Sequence, residues 1–361
     1  MQLQIGYREK TFKSKLVIKL RKYPNHGVNS DTLFGRSAPY KCAGYANVRI
    51  GGAMSTLGKI LFTIAVLLYG GHINAEESPD LYFIDAHSQI DHKVGGVDVV
   101  LKRMSTNNVT TTLLSTRGKR SWRDIIDWSS KYPTKIAPLI RSKGKDYQNN
   151  TPKYYKNVRK QIETGDFVGA AEILVFHAQK GNKAPKVVVG LADERVSLLL
   201  TESLSQDWPV VIHIEFASLH GRERQRYMNG LSSLLEKHPR HPFVLIHMGQ
   251  LHHQQVQELI AHHPNLYFLT SHTDSVTVND SKQPWVNIFS LHGQHFKEHW
   301  KNLFISYPYR FIFALDNVWD YHWQVSYDKK MKYWRTALSE LPENSAHLIA
   351  HGNAERLWKL K

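Results

Sequence analysis

Between Leu81 and Asp316 one unit recurs eight times: a short apolar run rich in β-branched residues, a polar exit, then a stretch with helical spacing. The runs read LYFIDAHS (81–88), VTTTLLST (109–116), KIAPLIR (135–141), AAEILVFH (170–177), PVVIHIE (209–215), PFVLIHMG (242–249), NLYFLTS (265–271) and RFIFALD (310–316). Stretches such as RSWRDIIDWSSKY, DERVSLLLTESLSQDW, RQRYMNGLSSLLEKH and HHQQVQELIAHH lie between them. Pro209, Pro242 and the Pro264-Asn265 pair stand where a helix must stop and a strand begin. Alternation of this kind, with strands apolar almost throughout, calls for a parallel sheet covered by helices. Eight units over about 240 residues match a closed barrel in size. A doubly wound open sheet would place a Gly-rich phosphate turn after the first strand, but the turn here reads HSQIDHKVGG, without G-x-G-x-x-G. The expected fold is an α/β, single-domain (β/α)₈ TIM barrel over residues 76–361.

The net charge of +16 invites a nucleic-acid reading until it is divided along the chain. Residues 1–53 hold ten Lys/Arg against two Asp/Glu, residues 54–75 add only Lys59, and +7 remains for residues 76–361. That remainder is an ordinary solubility charge, so no nucleic-acid partner is expected. Residues 1–53 read as a basic, aperiodic extension, either disordered or mis-assigned upstream sequence. From Met54 a Lys59-bearing start, the twelve-residue apolar run ILFTIAVLLYGG and Ala75 before an acidic stretch have the form of a signal peptide over 54–75. The run is too short to span a bilayer, so export to the periplasm or outside is expected, with no stable membrane anchor after cleavage. The only cysteine, Cys42, lies upstream, which excludes a disulfide, a Cys-based zinc site or a cysteine nucleophile in the barrel.

In a barrel of this kind, residues at the C-terminal strand ends face one shared mouth. Those ends carry Asp85 and His87 on strand one, Glu172 and His177 on strand four, and His213 and Glu215 on strand five; His247 and Asp316 end strands six and eight. These are metal-ligand and general-base types converging from five strands. Most of the 21 histidines carry no such signal. His213 and His247 do, because each closes an apolar run where an unpaired imidazole would be costly to bury. Arg117, Arg141, Trp319 and His322 follow strand ends and are candidate substrate contacts, the arginines for a carboxylate.

IDAH on strand one, IH on strand five, IHMG on strand six, ALD on strand eight and the closing HGNAERLW together resemble the amidohydrolase superfamily. The nearest branch is the amidohydrolase-related group of lactone hydrolases and decarboxylases. The resemblance covers roughly residues 80–361, and Gly352 to Trp358 is its most specific piece. It implies one divalent metal, usually zinc, at the barrel mouth, and a strand-eight aspartate that handles the proton of the attacking water. That role falls on Asp316, with His247 beside it, and the metal ligands on His87, Glu172, His213, His247 and Asp316.

One departure is plain: the family's first-strand His-x-His reads His87-Ser88-Gln89 here. Gln89 offers only a neutral amide oxygen, a far weaker zinc ligand than imidazole. Four readings stay open. Gln89 still ligates; Asp91 or His92 replaces it; the metal sits on Glu172, His213 and His247, the reading preferred here; or the metal is absent. The expected function is metal-dependent hydrolysis of a small anionic ester, lactone or amide, with Asp316 as general base. A non-oxidative decarboxylase on the same residues and a ligand-binding barrel without catalysis are the alternatives. A small-molecule partner is expected, and these features leave room for a homo-oligomer.

Overall fold

In the computed structural model, residues 81–179, 186–281, 283–290 and 293–360 are described; the extension and signal-peptide expectations lie outside them. Every expected run contains a strand. The strands are β1 (Phe83–Asp91), β2 (Val109–Arg117), β3 (Ile136–Ile140), β4 in two pieces (Gly169–Ala170 and Ile173–His177), β5 (Val210–Ile214), β6 (Phe243–Leu245), β7 (Leu266–Leu269) and β8 (Phe311–Ile312). Neighbours pair in parallel in chain order: β3 pairs with the first piece of β4, and the second piece with β5. The ring closes at β1 and β8. Ala86 N–H donates to Phe313 O (3.1 Å), Asp316 N–H to His87 O (2.8 Å) and Gln89 N–H to Asn317 O (2.7 Å). The pair Val187–Val188, which the pattern does not foretell, adds antiparallel to the second piece of β4.

The helical stretches fold as read. Trp122–Lys131 starts at Ser121, whose hydroxyl accepts from Arg123 N–H, and Glu194–Ser205 starts at Asp193, which accepts from Arg195 N–H. Side-chain caps of this type satisfy backbone donors that a first turn leaves open. Gly221–Lys237 and His253–His262 complete the set named above. Among the described residues, no helix is long and apolar enough to cross a membrane.

Strand side chains alternate between two cores, as the two-residue period requires. Phe83, Val210, Phe243, Phe311 and Phe313 join the helix-facing cluster, whereas Ile84, Leu113, Val211, Val244, Ile312 and Ala314 fill the barrel interior. Ala354, Leu357 and Trp358 belong to this interior cluster. Asn353 anchors their helix by donating to the carbonyls of Pro308 and Phe311, each at 2.8 Å. The distinctive C-terminal motif is thus a piece of barrel architecture, and alternation carries two interior registers into the mouth: Val211 leads to His213, and Ala314 to Asp316.

Candidate active site

Asp316 sits at the centre of the mouth and is 3% exposed. Its Oδ1 accepts a 3.0 Å hydrogen bond from Gln89 Nε2 and lies 3.4 Å from His87 Nε2. Its Oδ2 lies 3.6 Å from His247 Nε2 and 3.7 Å from His272 Nε2. Burial alone would raise the Asp316 carboxyl, but the His87 imidazole and the charges of His272 and Lys143 outweigh it and hold it well below the usual carboxylate range. The group is therefore a carboxylate at neutral pH, with one oxygen anchored and the other facing two imidazoles.

The backbone that presents this cluster is unusual. His247, His272 and Asp316 have φ of 55°, 59° and 48°, all in the left-handed region. A non-glycine residue there costs about 1–2 kcal/mol, and such strain gathers at functional sites. His247 opens a run of left-handed residues that includes Met248 and Gly249, the IHMG motif of the sequence. Ser271 Oγ lies 2.9 Å from His247 Nδ1, which leaves Nε2 turned to the carboxylate. The His247 and His272 rings stack at 4.4 Å, and Trp285 packs 5.0 Å and 4.8 Å from them.

A second cluster lies on β4 and β5. Glu172 Oε2 is 2.6 Å from His213 Nδ1, Glu215 Oε1 is 3.2 Å from His213 Nε2, and the ammonium of Lys143 contacts Glu172 Oε1. His177 Nε2 approaches Glu215 at 3.9 Å, and Glu215 Oε2 accepts from Ala178 N–H at 2.7 Å. The His213 and His247 rings meet edge-on at 5.0 Å, so the two clusters adjoin.

Both open on a cavity of about 1240 Å³. Of the residues read from the sequence as substrate contacts, Arg117, Trp319 and His322 line it. Arg141 does not: its guanidinium donates to the carbonyls of Gly118, Arg120 and Lys143 and ties the loops after β2 and β3 together. Burial lowers Arg117 from its ordinary value, opposed by the charges of Asp316 and Asp91. Burial, with Lys330 adding to it, pushes His322 down to about 4, and its Nδ1 accepts from Val318 N–H at 3.1 Å. The ring proton therefore sits on Nε2.

His272, Lys143, Trp285 and Lys330 are additions to the sequence reading, and all four line the cavity. His272 follows β7 as His247 follows β6, and extending the seventh run by one residue would have found it. Lys330 gave no signal, since a lysine in a helical stretch is ordinarily solvated. Here it is 1% exposed, and its ammonium has no hydrogen-bond partner among the described residues. Asp91 and His92, considered as replacements for the missing first-strand histidine, pair with each other at 3.1 Å and do not line the cavity.

One donor atom from each of His247, His272 and Asp316 lies within 4.8 Å of the other two. Buried His87 adds a ring whose nitrogens make no hydrogen bond among the described residues. Imidazoles with a carboxylate form the donor set of a divalent-metal site, and these residues fit one. Residues 204–360 match the family model described as amidohydrolase. That stretch, which runs from before β5 to the C-terminal helix, is similar to the amidohydrolases. Among solved structures, a TIM-barrel protein of Bordetella bronchiseptica is similar at 14% identity, over 78% of this chain and 99% of its own, with a TM-score of 0.52. A probable 2-pyrone-4,6-dicarboxylic acid hydrolase of Acinetobacter baumannii is 14% identical over 77% and 99%, with a TM-score of 0.45. A zinc-bound amidohydrolase of Burkholderia multivorans is 13% identical over 78% and 100%, with a TM-score of 0.45. No curated protein matches the chain.

Proposed function

We propose that the protein is a metal-dependent hydrolase of a small anionic ester, lactone or amide, with Asp316 as its general base. The observation that carries this reading is the ionised, buried Asp316 carboxylate with its free-facing Oδ2 beside His247 and His272 at the cavity. His247, His272 and Asp316, with His87 alongside, would hold a divalent ion, zinc by donor type. Such an ion supplies Lewis acidity to the substrate carbonyl and acidity to water.

The chain's own residues do the rest. Gln89 fixes Oδ1, so the proton of the attacking water goes to Oδ2, and Asp316 then passes it to the departing oxygen or nitrogen. Arg117 and Lys330 give the cavity two cationic positions, and the neutral His322 offers an Nε2–H donor. The Lys330 ammonium, buried and without a hydrogen-bond partner among the described residues, calls for an anionic ligand. Trp285 and Trp319 supply apolar wall on which a flat or cyclic substrate can lie.

A carboxylate-bearing set of esters, lactones and amides, offered to zinc-loaded and chelator-treated protein, tests this reading. Hydrolysis in the loaded form that Asp316→Asn abolishes is the expected result. Release of CO₂ without uptake of water would assign a decarboxylase instead, and binding without turnover a ligand-binding barrel. We also propose export, on the Met54–Ala75 segment. A mature N-terminus near Glu76 in the native host is expected, and an intact Met54 on soluble cytoplasmic protein would overturn it.

A further inference from the structure

We infer that the Lys143 ammonium is the resident cation of the Glu172–His213–Glu215 cluster, which confines divalent metal to the Asp316 cluster. The inference deepens the proposed hydrolase reading by fixing where its metal does not bind. Two carboxylates and a histidine from β4 and β5 beside a cavity would otherwise be an attractive second ligand set. In this protein every face of that set used by the contacts above is engaged. Lys143 stands on Glu172 Oε1, while His213 takes Oε2 at 2.6 Å and turns its other nitrogen to Glu215 at 3.2 Å. A metal ligand must present a lone pair, and a carboxylate beside an ammonium presents its charge to that ammonium instead. Glu172 is fully buried, so a divalent ion could join it only by expelling the lysine or by adding a second positive centre at close range. Both alternatives are unfavourable where the dielectric is low.

Lys143 also has the fold behind its position. It lies three residues past β3, and Arg141 clamps this loop by donating to the Lys143 carbonyl and to the Gly118 and Arg120 carbonyls. Ser142 adds a hydroxyl bond to the Glu172 carbonyl, so the lysine and its carboxylate are joined through backbone as well as through charge. None of Lys143, Glu172, His213 or Glu215 has a positive φ, unlike His247, His272 and Asp316. The lysine cluster is built on relaxed backbone, and the Asp316 cluster is not.

Zinc itself is the probe. Full-length protein is stripped with chelator and titrated with Zn²⁺ by calorimetry, with bound metal counted by elemental analysis. Lys143→Met removes the ammonium at similar length and should bind one more Zn²⁺ per chain than the parent, whereas Lys143→Arg keeps the charge and should match the parent. An unchanged count in Lys143→Met overturns the inference. If Lys143→Met does not fold, Glu172→Gln decides: an unchanged zinc count supports the inference, and loss of zinc overturns it. A parent that binds no zinc while Lys143→Met binds one would sink the metal-hydrolase reading and still support the role of Lys143.

Discussion

The two histidine–carboxylate clusters at the mouth use the same residue types and are built for different ends. In the Asp316 cluster, three residues at strand ends adopt left-handed backbone, and the carboxylate faces imidazoles at 3.4–3.7 Å, with no Lys or Arg ion pair on it among the described residues. In the Glu172 cluster the backbone is unstrained, the His213 contacts are 2.6 Å and 3.2 Å, and a lysine caps the set. Tight, closed pairing stabilises a fold, while strained and looser pairing leaves a group able to exchange its partner for a ligand. Under the proposed function, the comparison separates a centre that reacts from one that holds β4, β5 and the loop after β3 in place.

The largest expected effect tests that separation directly. Asp316→Asn should lower turnover by roughly a hundred- to ten-thousandfold, since it removes the proposed general base, with the melting temperature nearly unchanged. A deep loss of melting temperature instead would place Asp316 with the structural cluster and break the comparison. Next, His247→Ala or His272→Ala should weaken zinc binding by about tenfold to a hundredfold in calorimetry. Equal retention of zinc in both would show that the ligands lie elsewhere.

Smaller effects sharpen the picture of the surrounding cavity. Lys330→Met should raise KM for a carboxylate-bearing substrate about tenfold while kcat holds, the loss of one charge-assisted contact. A neutral analogue serves as control and should be unaffected. The smallest effect is a pH dependence. His322 has its folded pKa depressed to about 4 by burial, below its ordinary 6.5, so between those values the unfolded chain binds more protons than the folded one. Stability conferred by the neutral ring is complete above about 6.5 and is lost as pH falls towards 4. With the ring partly exposed, the change is on the order of 1 kcal/mol. His322→Gln should flatten this portion of the curve in denaturant titrations, and an unaltered slope would assign the dependence to another group.

How much of this was legible can be argued residue by residue. The eight runs mark the eight strands because apolar continuity and helical spacing are local properties of the chain. Strand ends placed His87, Glu172, His213, His247 and Asp316 at one mouth, and the structure brings all five there. His272 was missed by a single residue at the end of a run, and the Val187–Val188 strand had no pattern to announce it. Arg141 was read as a substrate contact because position alone cannot say where a long side chain turns, and three backbone carbonyls claim it.

By itself the sequence determined the repeating strand–helix order, the closure expected of eight such units, and the residue types that reach the barrel mouth. Period and propensity are written in neighbouring residues, so they survive without tertiary context. Only the tertiary structure decided which of those residues share a partner. Lys143 is 29 positions from Glu172, His87 is far along the chain from Asp316, and Lys330 comes to the cavity from a helix. Electrostatic pairing depends on distance in space and on burial, and both are set by how the strands close rather than by any local pattern.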